Sequence, residues 1–132
     1  MTDQGGCYCG AIRYELSGKA QLQLLCFCSD CRKLSGTDGY AGYMVLDEHF
    51  AHVSGEPRTH HKTSAEGRVV VRHFCGDCGS MVWGATELGL TSVAAGTLDD
   101  PSLFQPTMNV FEEQAPSWAR IPGKFVEAGE GD

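Results

Sequence analysis

Long apolar runs are missing from this sequence, and with them any segment of the ~20 consecutive hydrophobic residues that a bilayer-spanning helix requires. Basic clusters are missing too. Ten Lys and Arg face 17 Asp and Glu, a net charge of −7, and no basic run is longer than Arg32-Lys33. Nucleic acid and anionic membrane surfaces are therefore poor partners, because both need a basic face. The first thirty residues lack a basic start, an apolar h-region and a cleavage site, so a soluble, cytoplasmic chain is expected. Internal repeats, low-complexity linkers and sustained helical periodicity are absent as well. With 132 residues and 42% hydrophobic content, one domain over residues 1–132 is the expectation. The acidic, glycine-containing end, Glu127 to Asp132, reads as a flexible, solvated terminus.

What is present is mostly strand signal. Ala11 to Leu16 alternates apolar with polar, the period of a half-buried strand. Leu22 to Phe27, Tyr40 to Leu46 and Arg68 to Phe74 are further strand-like runs, the last rich in β-branched residues. Shorter strands are expected at Ser80 to Gly84, Leu90 to Ala95 and Met108 to Phe111, while the polar stretch Thr59 to Gly67 reads as a loop or weak hairpin. One or two helical turns fit Ser29 to Gly36, with a Ser or Asp cap and a closing glycine. The fold class is mainly β.

Seven cysteines and 17 glycines are far more than core packing asks for in so short a chain. An odd number cannot close into pairs, and a reducing compartment disfavours disulfides. The cysteines instead fall into tight groups with the spacing of metal ligands. Cys7-Tyr8-Cys9-Gly10 and Cys75-Gly76-Asp77-Cys78-Gly79 each set two sulfurs on one turn, with a glycine after the second. A positive φ at that glycine lets the backbone curl so that N–H groups face sulfur. Together these pairs supply the four ligands of a closed, structural zinc. Cys26, Cys28 and Cys31 supply three, which leaves a position open, the mark of a catalytic or substrate-binding zinc. Spacing also allows Cys7 and Cys9 to combine with two members of the triplet. The four-plus-three division is preferred because it keeps each local unit intact.

Arg32 and Lys33 follow the triplet directly, and with a helix start near Cys31 they favour thiolate and draw an anionic ligand; an ordinary solvated pair is the competing reading. For a ligand's carboxylates the order of preference is Arg32, Lys33, Arg13, Arg72. His49, His52, His60 and His61 lie in polar or turn-rich stretches and read as surface residues. His73 enters Cys75 on a strand and reads as a strand residue, with a hydrogen-bonding role beside the metal as the other option. Trp83 and Trp118 read as core or pocket lining.

The combination of Gly-Gly-Cys-Tyr-Cys-Gly-Ala-Ile-Arg-Tyr at 5–14, Cys-Phe-Cys-Ser-Asp-Cys-Arg-Lys at 26–33 and Phe-Cys-Gly-Asp-Cys-Gly at 74–79 resembles the glutathione-dependent formaldehyde-activating enzyme family. Members of that family are grouped with centromere protein V. Gly96 to Pro101 and Ala115 to Trp118 also match, so the resemblance covers residues 5 to about 122. It implies a β-tent type fold of short antiparallel sheets organised around a structural zinc. It implies two zinc ions per chain, one on Cys7, Cys9, Cys75 and Cys78, the other, associated with catalysis, on Cys26, Cys28 and Cys31. The implied activity is that of a carbon-sulfur lyase, with a small thiol such as glutathione and an aldehyde, formaldehyde, as partners. Phe27 and Asn109 stand where members often carry histidine. A non-catalytic, zinc-stabilised module that binds a thiol or other ligand is the competing class, since fold does not dictate turnover. A redox sensor that releases zinc on oxidation is a third.

Overall fold

The computed structural model describes residues 2–64 and 66–122, so the acidic end at Glu127 to Asp132 lies outside the described residues. The strands in chain order are β1 (Asp3–Gly6), β2 (Arg13–Leu16), β3 (Leu22–Cys26), β4 (Tyr40–Leu46), β5 (Phe50–Ser54), β6 (Arg58–Thr63), β7 (Val69–Phe74), β8 (Met81–Ala85), β9 (Leu90–Ala94) and β10 (Met108–Val110). One α-helix, α1 (Ser29–Ser35), interrupts them, with short 3-10 turns elsewhere. Mainly β is thus the architecture.

The strands form a three-stranded sheet ordered β1-β2-β5 and a seven-stranded sheet ordered β10-β3-β4-β9-β8-β7-β6. Pairing is antiparallel as expected, with one departure: β10 runs parallel to β3, placing Val110 beside Cys26. A parallel neighbour needs a crossover, and here the chain from β4 to β9 intervenes. The polar stretch after Pro57 becomes the outer strand β6, paired with β7 from Arg58↔Phe74 to Thr63↔Val69 and exposed throughout. Its pairing lies in the backbone, which explains why a side-chain pattern showed only a weak hairpin.

Two strands carry no pattern at all. β1 reads Asp-Gln-Gly-Gly and contains no β-former, yet it pairs with β2 over four residues. Gly5 shows why a bare backbone is needed. A Cβ there would lie 2.2 Å from the Tyr14 hydroxyl oxygen and 2.4 Å from the Thr97 carbonyl oxygen. β5 (Phe50-Ala51-His52-Val53-Ser54) is almost wholly exposed and is held by its register on β2.

The core lies between the sheets. Tyr14 and Leu16 point inward from β2, at alternate positions as the period-two pattern requires, and meet Tyr43, Val45, Val82, Trp83 and Val93 of the large sheet. Aromatic contacts cross the interface: Tyr14 to Phe50 with centroids 5.5 Å apart, and Phe50 to Trp83 at 4.9 Å. Each such ring contributes about 1.5–3 kcal/mol by leaving water. The Tyr14 hydroxyl bonds the Thr97 hydroxyl at 2.8 Å, so its polar tip is satisfied inside. Trp118, by contrast, is 66% exposed and belongs to neither core nor cleft. His49 also departs from expectation, half-buried against Gly18 with its Nδ1 enclosed and unpartnered, whereas His52, His60 and His61 are exposed.

Gly5→Ala is expected to cost about 1–3 kcal/mol, the usual range for overpacking, because both obstructing groups are fixed. Urea unfolding of the variant beside the parent protein measures it, and an unchanged midpoint would contradict the crowding at this position.

Candidate metal centres

The four-cysteine cluster is built by two turns facing each other across the sheets. After β1, the Cys7 N–H donates to the Ile12 carbonyl at 3.1 Å and Gly10 N–H to the Cys7 carbonyl at 3.1 Å. After β7, the Cys75 N–H donates to the Ser80 carbonyl at 2.9 Å and Gly79 N–H to the Cys75 carbonyl at 2.8 Å. Gly10 and Gly79 adopt φ of 84° and 81°, the left-handed conformation expected of a glycine behind the second cysteine. The turns are tied directly, since Tyr8 N–H donates to the Ser80 hydroxyl oxygen at 3.0 Å.

All four sulfurs lie within 4.8 Å of one another, with Cys7 to Cys9 at 3.6 Å and Cys9 to Cys75 at 3.8 Å. Zn–S bonds of about 2.3 Å at tetrahedral angles would set sulfurs about 3.8 Å apart, so the donor set fits zinc. Cys7 and Cys75 are buried and belong to the hydrophobic core. The Ile12 N–H donates to Cys7 Sγ at 3.3 Å. Hydrogen bonds from Ser80, its hydroxyl first and its backbone second, draw the Cys78 thiol down to about 5. Cys7 and Cys9 meet Cys75 and Cys78, not the triplet.

The second cluster sits where β3 runs into α1. Cys26 is the last residue of β3 and is buried; Cys28 is the N-cap of α1; Cys31 lies in its first turn. Here the structure corrects the expected Ser or Asp cap. The Cys28 sulfur accepts the Cys31 N–H at 3.3 Å, so a thiol does the work usually given to a hydroxyl or carboxylate. Gly36 closes the helix in the left-handed conformation, as expected. The three sulfurs again lie within 4.8 Å of one another, with Cys26 to Cys28 at 3.5 Å, a spacing that suits a metal ion. The Cys31 hydrogen bond, helped by the nearby charge of Arg72, lowers Cys26 to about 6, and the same bond pushes Cys31 up.

Beside this cluster opens a cleft of about 250 Å³. Cys26 and Cys31 form part of its wall, with Leu34 of α1, Tyr40 of β4, Arg72 of β7 and Phe111 after β10. Phe111 takes φ 55° and ψ 40°, the one non-glycine residue at positive φ among those described. Such a backbone costs a bulky residue roughly 1–2 kcal/mol. Burial raises the Tyr40 phenol, keeping it neutral, and its hydroxyl pairs with that of Ser92 at 2.9 Å.

The basic residues fall out differently from the sequence order. Arg32 and Lys33 are not on the cleft wall: Lys33 is exposed, and Arg32 is half-buried with its Nε enclosed and unpartnered. Arg13 pairs with Asp99 on the small sheet. Arg72, last in that order, is the residue that faces the cleft, and its distance from the triplet along the chain hid it. His73 stacks on Trp83 with centroids 4.3 Å apart, and its Nδ1 is enclosed without a hydrogen-bond partner. Asn109 donates to Glu112 Oε1 at 2.9 Å and to the Pro122 carbonyl at 3.3 Å, bracing the turn that carries Phe111. Gln114 caps the other end of this strap by accepting the Ser29 N–H at 3.1 Å.

The family model for the glutathione-dependent formaldehyde-activating enzyme matches residues 2–114. The chain belongs to this family. It is 33% identical over 87 residues to a Halomonas elongata protein provisionally named glutathione-dependent formaldehyde-activating enzyme, a match covering 63% of this chain and 55% of that one. The match thus spans little more than half the length of that curated relative. A crystal structure of a Rhodobacter sphaeroides protein superposes with a TM-score of 0.61 at 19% identity, covering 80% of this chain and 98% of the other. That likeness concerns the fold alone.

Phe27, between two cysteines of the family motif, is 0% exposed and packs beneath Gly39, whose added Cβ would meet its ring at 2.7 Å. Phe27→His would place an imidazole in this fully buried position. A loss of about 1–3 kcal/mol is expected in urea unfolding of the metal-loaded protein. Undiminished stability would contradict this placement.

Proposed function

We propose that the protein is a zinc-dependent carbon-sulfur lyase that joins and separates a thiol and a small aldehyde at the Cys26, Cys28, Cys31 cluster. The observation that carries this reading is that two of three convergent thiols also form the wall of a cleft. Family membership supports it, with glutathione and formaldehyde as the first partners to test. In this reading Cys7, Cys9, Cys75 and Cys78 hold a structural zinc within a single domain over residues 1–132. The seven cysteines are free thiols, a state that suits a reducing compartment such as the cytoplasm.

In the joining direction a sulfur–carbon bond forms while the carbonyl π pair moves to oxygen, and the thiol proton ends on that oxygen. The reverse breaks the same bond and returns the proton to sulfur. Cys26, Cys28 and Cys31 would hold a zinc ion that, with its fourth position open, would supply stabilisation of an incoming sulfur as thiolate. Three thiolates on Zn²⁺ sum to a net charge near −1, so sulfur delivery suits the cluster better than strong carbonyl polarisation. Arg72 lines the same cleft as Cys26 and brings a positive charge to that side of the site. The apolar cleft wall disfavours water beside the aldehyde, whose hydrate competes with thiol addition.

A non-catalytic thiol-binding module is the second reading, and one observation favours it. No carboxylate or histidine lines the cleft, and Tyr40 is already paired, so a dedicated proton-transfer residue is missing among the described residues.

Cys28→Ser is expected to lower bound zinc from two ions per chain to one while the far-ultraviolet circular dichroism stays unchanged, and Cys75→Ser is expected to unfold. Two ions retained by Cys28→Ser would sink the four-plus-three assignment. Formaldehyde consumption in the presence of glutathione, faster with protein than without and lost in Cys28→Ser, is the result expected of the lyase; a melting shift with glutathione but no consumption assigns the module.

A further inference from the structure

The cleft beside the three-cysteine cluster has a composition that neither the family match nor the cluster explains. Its wall is mostly apolar, with Leu24, Met44, Val70, Met81, Val110 and Phe111 among the lining residues. Its polar groups are spent on the protein itself. The Tyr40 and Ser92 hydroxyls bond each other at 2.9 Å. The Thr86 hydroxyl donates to the Leu90 carbonyl at 2.6 Å and accepts the Leu88 N–H at 3.2 Å. Of the described lining residues Arg72 alone carries a permanent charge.

Glutathione presents two carboxylates and an ammonium group. Among the described residues this cleft offers it one guanidinium, no carboxylate and no free hydroxyl, so its two carboxylates would lose water with one cation between them. The size agrees. About 250 Å³ lies below the usual range for drug-sized ligands, whereas an apolar cavity of about 150 Å³ already holds benzene. We infer that the thiol handled at this cluster carries an apolar substituent, an aromatic ring or a short hydrocarbon chain, in place of a charged peptide. This inference rests on the proposal that Cys26, Cys28 and Cys31 hold the sulfur. The substituent then lies in the cleft with Phe111 closing one side. The non-glycine positive φ of Phe111 fits that role, since strained backbone persists where the fold uses it to place a side chain.

The test uses the full chain with cobalt in place of zinc, and follows the sulfur-to-cobalt absorption as benzyl mercaptan, 2-mercaptoethanol or glutathione is added. Benzyl mercaptan is expected to bind about tenfold or more tightly than either of the others, through the apolar surface it buries. Phe111→Gly, which removes the ring and suits the left-handed backbone, is expected to weaken benzyl mercaptan several-fold and leave 2-mercaptoethanol unchanged; Leu34→Ala serves the same purpose from the exposed side of the cleft. Glutathione binding as tightly as benzyl mercaptan, or equal affinities for all three, overturns the inference. Formaldehyde turnover measured with each thiol separates this from the lyase reading. Turnover with glutathione and none with benzyl mercaptan overturns the inference and leaves a lyase. The expected binding order without turnover by any thiol upholds the apolar site and overturns the lyase. No binding by any of the three overturns both.

Discussion

Four thiols brought within 4.8 Å of one another, from turns 66 and more residues apart, are the constraint on which the two-sheet arrangement depends. As thiolates they repel, and the repulsion is severe where Cys7 and Cys75 are buried. Something must neutralise them. A divalent cation held there would do so at tetrahedral spacing, and the stability of the site would then become stability of the fold. Two strands of the small sheet have little strand signal of their own. Its β1 is four residues without a β-former, and its β5 is mostly exposed. The core of Tyr14, Leu16 and Phe50 against Trp83 and Val93 fills the space that the clamp defines.

The second cluster is joined to the first through the large sheet. β3 delivers Cys26 and β7 delivers Arg72, and the two strands lie on opposite sides of the β4-β9-β8 centre. Sheet twist and curvature bring their ends over one cleft. The segment from β10 to Gln114 then crosses the open side, pinned by parallel pairing to β3 and by the Ser29 N–H. The cleft is thus a property of tertiary structure, whereas the three-cysteine loop is local.

That difference decides what was legible in the sequence. The cysteine groups and the glycines behind Cys9 and Cys78 could be read because ligand spacing and turn conformation are local properties. Strands such as β2 and β4 announced themselves through alternation or β-branched content. β1 and β5 did not, because their strand state comes from partners on β2 and from the empty space at Gly5. The helix was readable, but its cap was not: adjacency suggested Ser29 or Asp30, and the backbone placed Cys28 there. Proximity in sequence also favoured Arg32 and Lys33 over Arg72, although a helix directs neighbouring residues to different faces, so adjacency to Cys31 does not carry them into the cleft.

The distribution of charge around the triplet gives the cleft its chemical meaning. Lys62 is committed to Asp30 at 2.8 Å, Lys33 is exposed, and Arg32 is partly enclosed away from the cleft. Among the described residues Arg72 is the one cation on the wall of a site that would already be anionic with three thiolates on a divalent metal. A further ligand adds its own thiolate to that charge, and any carboxylate on it adds more. Each added anion in an apolar cleft raises the cost of binding, and no second guanidinium among the described lining residues offsets it. Apolar surface carries no such cost. A thiol that brings only hydrocarbon beside its sulfur is the ligand for which the charge of the cluster and the polarity of the cleft agree.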